Sequence, residues 1–124
     1  MKEPLNSTKT LGLMPRSVSD LVAAQRHGRA LGRTPTDQAM EQAAALLDFL
    51  GNAFPGFMAT ARIHVEPDGA VAIIGPRGNH LVTLAAEQDG QISVLSENVT
   101  DRTAEEYDLT SPGDVAAILE RISH

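Results

Sequence analysis

His64 and Glu66 stand two residues apart and His80 follows one hairpin later, so two imidazoles and a carboxylate offer a donor set for a divalent metal. The spacing fixes no ligand geometry. In a simple meander the strands carrying His64 and His80 are not neighbours, so solvated polar positions are favoured and no metal is expected. Gly75-Pro76-Arg77-Gly78-Asn79 could cradle an anion through backbone amides and the Arg77 guanidinium. A hairpin turn uses the same residues, and the segment opens no helix and lacks a Lys-Ser/Thr pair, so the turn is the stronger reading.

Asp101, Glu105, Glu106 and Asp108 could hold calcium or act as paired carboxylates, yet they lack the loop spacing and glycine of a calcium hand. They read instead as an acidic surface whose potential would speed the approach of a basic partner. No serine sits in a Gly-x-Ser-x-Gly elbow, and the absence of cysteine removes thiol nucleophiles, thiolate metal sites and disulfides together. Neither catalytic residues nor a cofactor are expected. A small hydrolase is the remote alternative, and it would need titratable groups converging in a pocket.

The remaining charged group is basic. Arg16, Arg26, Arg29 and Arg33 lie close together, and Arg26 and Arg29 share one side of a helix. Residues 1–33 carry six basic against two acidic residues, whereas residues 34–124 carry four against fourteen, within a net charge of −6. A basic arm thus precedes an acidic body. Phosphate contacts by the four arginines would bind nucleic acid with counterion release, although the arm has no aromatic residue to stack a base. The body's own acidic surface is the competing destination.

The elements that must position these groups follow from periodicity. Residues 60–96 alternate between apolar and polar positions and are divided by three turn signals, as an antiparallel meander of four strands requires. Thr60–Glu66 places Ala61, Ile63 and Val65 on the core face. Ala70–Ile74, apolar on both faces, reads as a central or covered strand, with 75–79 as the reversal after it. His80–Ala86 turns Val82, Leu84 and Ala86 inward, and Gln91–Ser96 does the same with Ile92 and Val94. Tyr107 and Leu109 alternate with Glu106 and Asp108, the pattern of a charged fifth strand at the sheet edge.

Helices flank the meander. Ser17 as N-cap predicts a short helix over Val18–His27, stopped at Gly28, and residues 1–16 show no periodicity. Thr34 as N-cap with Pro35 at the first helical position opens the main helix. Its stripe of Met40, Ala43, Leu47, Leu50 and Phe54 is broadened by Leu46 and Phe49 and ended by Gly51-Asn52 and Pro55-Gly56. Ser111 and Pro112 open the last helix, with Val115, Ile118, Leu119 and Ile122 on one face.

The fold class is therefore α+β: an antiparallel four- to five-stranded meander, with a long N-terminal helix and a C-terminal helix packed on one face. Residues 1–33 form a basic, partly flexible arm, and residues 34–124 a single domain. With 3% aromatic residues and no tryptophan, the core must be aliphatic. No apolar run approaches the roughly 20 residues of a membrane span, and the first 15 residues lack the apolar centre of a secretory signal. A cytoplasmic protein is expected, consistent with a cysteine-free chain in a reducing compartment.

In architecture the order resembles that of small acidic chaperones of type III secretion, helix-first α+β proteins that dimerise. In size and charge it is similar to small antitoxins and immunity proteins. The chain departs from the chaperone pattern in lacking a clear helix in mid-sheet and in carrying the basic arm. The expected function is that of a noncatalytic, bacterial-type macromolecule-binding domain that meets another protein through its acidic surface or sheet face, with homodimerisation as an accompanying expectation. The alternative is a nucleic-acid-associated regulatory protein using the arm.

Overall fold

A computed structural model describes residues 14–122, with side chains from residue 19 onward. The element order is α1 (Met14–Ala30), α2 (Asp37–Ala53), α3 (Pro55–Thr60), β1 (Arg62–Val65), β2 (Val71–Arg77), β3 (His80–Ala86), β4 (Ile92–Asn98), β5 (Ala104–Leu109) and α4 (Val115–Ile122). A 3-10 turn at Pro112–Asp114 leads into α4. The strands form one antiparallel sheet in the order β1-β2-β3-β4-β5, the α+β meander expected from the alternation, with the edge strand included.

Register assigns the two faces. Ile63, Ile73, Leu84, Val94 and Tyr107 make one row across all five strands, and Val65, Val71, Ala86, Ile92 and Leu109 make the next. These rows meet the apolar faces of α2, α3 and α4 in a single core that includes Leu46, Leu50, Phe57, Val115 and Leu119. Leu46, Leu50, Ile73 and Leu84 are at 0% exposure, while Ile63 and Leu109 on the edge strands are partly buried against them. The opposite face carries no helix among the described residues.

Two turns at one end of the sheet are built alike. Glu66-Pro67-Asp68-Gly69 and Glu87-Gln88-Asp89-Gly90 each place an aspartate whose Oδ1 accepts a backbone N–H two residues on, from Ala70 and Gln91 respectively, both at 3.0 Å. Each ends in a glycine at positive φ, +92° at Gly69 and +86° at Gly90, a region other residues enter only with strain. The Gln88 side-chain amide donates to the Asp68 carbonyl and joins the two turns. Thr36 fastens α2 to the same place, its hydroxyl donating to the Gln88 carbonyl at 2.7 Å while accepting from the Ala39 N–H at 3.1 Å.

Several element boundaries differ from expectation. α1 runs through Gly28 to Ala30 and ends at Gly32, φ +76°, where Arg33 N–H bonds to the Gly28 carbonyl at 2.7 Å in a Schellman pattern. Gly28 is not a stop. It is the point where the helix backbone meets Val65. The N-cap of α2 is Thr36 rather than Thr34, and the helix passes Gly51-Asn52 to Ala53. Pro55 does not merely end that helix. It opens α3, which takes Thr60 out of the first strand. β2 continues through Gly75 and Pro76 to Arg77, leaving only Gly78 and Asn79 to turn. Pro76 is accommodated there because β1 pairs no further than Ile74, so its missing N–H breaks no ladder on that side.

Leu21 and Ala24 of α1 are buried, and Leu21 belongs to the same core as the sheet. The expectation for residues 1–13 lies outside the described residues.

Candidate functional site

The helix-free face of the sheet is defined by two rows. Arg62, Ile74, Thr83, Leu95 and Glu106 form one, and His64, Ala72, Ala85, Ser93 and Asp108 the other. The middle strands contribute small side chains to the second row, so the floor sinks between taller neighbours. Twist and small residues together leave a groove of about 340 Å³ over Thr83, Ala85 and Ser93.

The rim of this groove is acidic. Glu66 and Asp68 come from the first of the like-built turns, Glu87 from the second, and Glu106 and Asp108 from β5. No lysine or arginine lines it among the described residues. Glu66 is paired with the His64 Nε2, and the Ser93 hydroxyl donates to Glu87 Oε2 at 2.6 Å. Carboxylates grouped over a shallow floor of small side chains accept hydrogen bonds from ammonium or guanidinium donors, and more strongly than neutral acceptors do. The floor offers dispersion contact and room for side chains larger than its own.

The four acidic residues singled out from sequence do not form one site. Glu106 and Asp108 share the groove, because strand parity places them on one face. Glu105, adjacent to Glu106, faces the helix side, where it accepts from the Tyr107 hydroxyl. Arg121 of α4 donates to the same phenol oxygen at 2.5 Å, with its guanidinium 5.3 Å from the ring centroid. The hydrogen bond to Glu105 and partial desolvation raise the Tyr107 pKa above its ordinary value. Asp101 stands apart in the β4–β5 turn, held below the usual carboxylate range by hydrogen bonds from the Thr103 hydroxyl and backbone. Grouping by sequence proximity thus missed Asp68 and Glu87, and set Glu66 with the two histidines as a metal donor instead of with the acidic surface. The repeated Glu-x-Asp-Gly turns were the signal that could have found them.

The arm arginines are also dispersed in role. Arg26 and Arg29 are exposed on α1, while Arg33 is half-buried and donates to the Val65 carbonyl at 3.4 Å. The Arg16 side chain lies outside the described residues. Arg77 does not line an anion cradle, since it donates to the Leu119 carbonyl at 2.7 Å and stacks 4.9 Å from the Phe54 centroid, tying β2 to α4.

A second, more open cleft of about 700 Å³ lies between α1 and β1, bordered by His27, Arg62 and His64. His80 is at the far end of the sheet, its Nδ1 buried and without a hydrogen-bond partner among the described residues. No three His, Cys, Asp or Glu side chains come together to hold a metal ion among the described residues. None of the described helices is long and apolar enough to cross a membrane.

Set against known proteins, the chain matches no protein family, no curated protein and no solved structure. The functional reading rests on the sheet face.

Proposed function

We propose that this chain is a noncatalytic binding protein whose helix-free sheet face holds an extended segment of a protein partner, with lysine or arginine on the acidic rim and apolar side chains on the floor. One observation carries this reading. Five carboxylates from three separate segments surround a floor of alanine, serine and threonine, on the face opposite the core. A like-charged rim is unfavourable for the isolated fold and becomes favourable when a cationic partner neutralises it. A cysteine-free chain suits such a role in the cytoplasm.

The test is fluorescence anisotropy of a labelled peptide of alternating lysine and leucine, titrated with the full chain and with Ala85→Arg, which fills and neutralises the middle of the floor. The expected result is binding that weakens with salt and falls at least about tenfold in the variant, or about 1.4 kcal/mol. Equal affinity for both proteins would overturn the proposal. Salt-sensitive binding to duplex DNA, lost on removing Arg26 and Arg29 and unaffected by Ala85→Arg, would favour the nucleic-acid alternative instead.

A further inference from the structure

The two edges of the sheet are finished differently. At β1 the Glu66 N–H donates to the Ala70 carbonyl at 2.7 Å, which sets the phase of that ladder and turns the backbone groups of Val65 outward. α1 covers them: Gly28 meets Val65, and the Arg33 side chain donates to the Val65 carbonyl at 3.4 Å. At β5 the Asn98 N–H donates to the Thr103 carbonyl at 2.8 Å. In that phase Glu105, Tyr107 and Leu109 direct their backbone groups at β4, while Ala104, Glu106 and Asp108 direct theirs away from the sheet. β5 pairs with β4 alone among the described residues, and the three outward residues are exposed. Their N–H and C=O groups are a template for one more strand.

The side chains decide which strand. Glu106 and Asp108 stand on the helix-free face, where no lysine or arginine lines the groove among the described residues. On the other face the cation is the chain's own, since Arg121 donates to the Tyr107 hydroxyl beside Glu105. Tyr107 and Leu109 are half-buried there and offer apolar surface. A second copy fits this edge badly. Two β5 strands paired antiparallel about Glu106 would set Glu106 opposite Glu106 and Ala104 opposite Asp108, and like charges directly opposite destabilise a pair. A basic strand meets the reverse. Antiparallel, with hydrogen-bonded residues opposite Glu106 and Asp108, it places those side chains on the helix-free face and the intervening ones beside Tyr107.

We propose that the β5 edge takes a basic, extended segment of another protein as a sixth, antiparallel strand, with lysine or arginine opposite Glu106 and Asp108 and an apolar residue beside Tyr107. This surface is separate from the groove floor at Ala85, and its occupation requires no entry into the groove.

The probe is a short peptide of alternating lysine and valine in two isomeric forms, one N-methylated on the valines and one on the lysines. Both carry the same charge. In the proposed pairing the lysine N–H groups point at β5 and the valine N–H groups at solvent. The valine-methylated form should therefore bind the full chain, and the lysine-methylated form should bind at least about tenfold more weakly. Equal affinity, the reverse preference, or no binding of either form at millimolar peptide would overturn the proposal. With Glu106→Lys and Asp108→Lys together, both at exposed positions, binding should transfer to a glutamate–valine peptide. A retained preference for lysine would overturn the charge assignment and the proposal with it.

Amide exchange with solvent, read by NMR, locates the strand. Saturating valine-methylated peptide should slow exchange at Glu106 and Asp108 at least about tenfold, and change Glu105 and Tyr107, already bonded to β4, much less. Binding without this slowing would overturn the proposal. Slowing that grows with protein concentration in the absence of peptide would place a second copy on the edge and overturn it equally. Ala85→Arg separates the edge from the groove proposed above. Slowing that persists at saturating peptide in this variant supports the edge as a site of its own. Slowing that disappears would mean the segment is held from the floor, and the edge proposal would fail while the groove reading stood.

Discussion

Gly28 in α1 and Val65 in β1 approach so closely that a β-carbon on the glycine would lie 2.8 Å from the Val65 Cβ, with the Arg33 carbonyl oxygen 2.9 Å away. The contact seats the end of α1 on the sheet edge, and the Arg33 side chain donates to the Val65 carbonyl beside it. Gly28→Ala gains up to about 1 kcal/mol in helix propensity but must open this contact, at about 1–3 kcal/mol for an overpacked site. The expected outcome is net destabilisation. Gly51, also helical, would carry a β-carbon with nothing within 4 Å of it, so Gly51→Ala should stabilise by roughly 0.5 kcal/mol. Urea unfolding of both variants checks the opposite signs.

Thr36 serves two elements through one hydroxyl. Thr36→Ala leaves the Ala39 N–H without its cap and the Gln88 carbonyl without its donor, and should cost about 1–2 kcal/mol. Thr36→Ser should recover most of the loss. A lower denaturation midpoint with an unchanged slope would identify the effect as stability rather than altered compactness.

Leu84 sits at 0% exposure between Ile73 and Val94 in the central row of the core face. Leu84→Ala removes its packing and leaves a cavity among branched neighbours, with an expected cost of about 2–5 kcal/mol. Thermal unfolding followed by circular dichroism measures it.

Tyr107 is the chain's only tyrosine, and there is no tryptophan, so ultraviolet titration of the phenolate reads this residue alone. Its hydrogen bond to Glu105 favours the protonated phenol, so the midpoint should lie above 10.0 and move down in Glu105→Ala. The linked effect on stability has a definite sign. A group whose pKa rises on folding contributes stability that is complete below its unfolded value and disappears as pH rises through its folded value. For this half-buried phenol, whose hydroxyl stays near solvent, the contribution is small and confined to alkaline solution.

Much of the architecture was legible because it depends on periodicity. Val115, Ile118, Leu119 and Ile122 are all buried as their spacing requires, and Val82, Leu84 and Ala86 face the core as alternation requires. What could not be read depends on who meets whom. Gly28 has the same local signature whether it stops a helix or admits Val65, and Pro55 marks an ending and a beginning with the same missing N–H. The groove followed the same rule. Alternation alone separates Glu105 from Glu106 and Asp108, but Glu66, Asp68 and Glu87 join the latter pair only once register is known.

The strand order along the sheet is the strand order along the chain, and that governs how the molecule assembles. Each new strand needs only a short loop to reach a partner already in place, so every ladder closes over a small sequence separation and little loop entropy opposes it. Topologies of this kind fold faster than sheets joined by long crossovers.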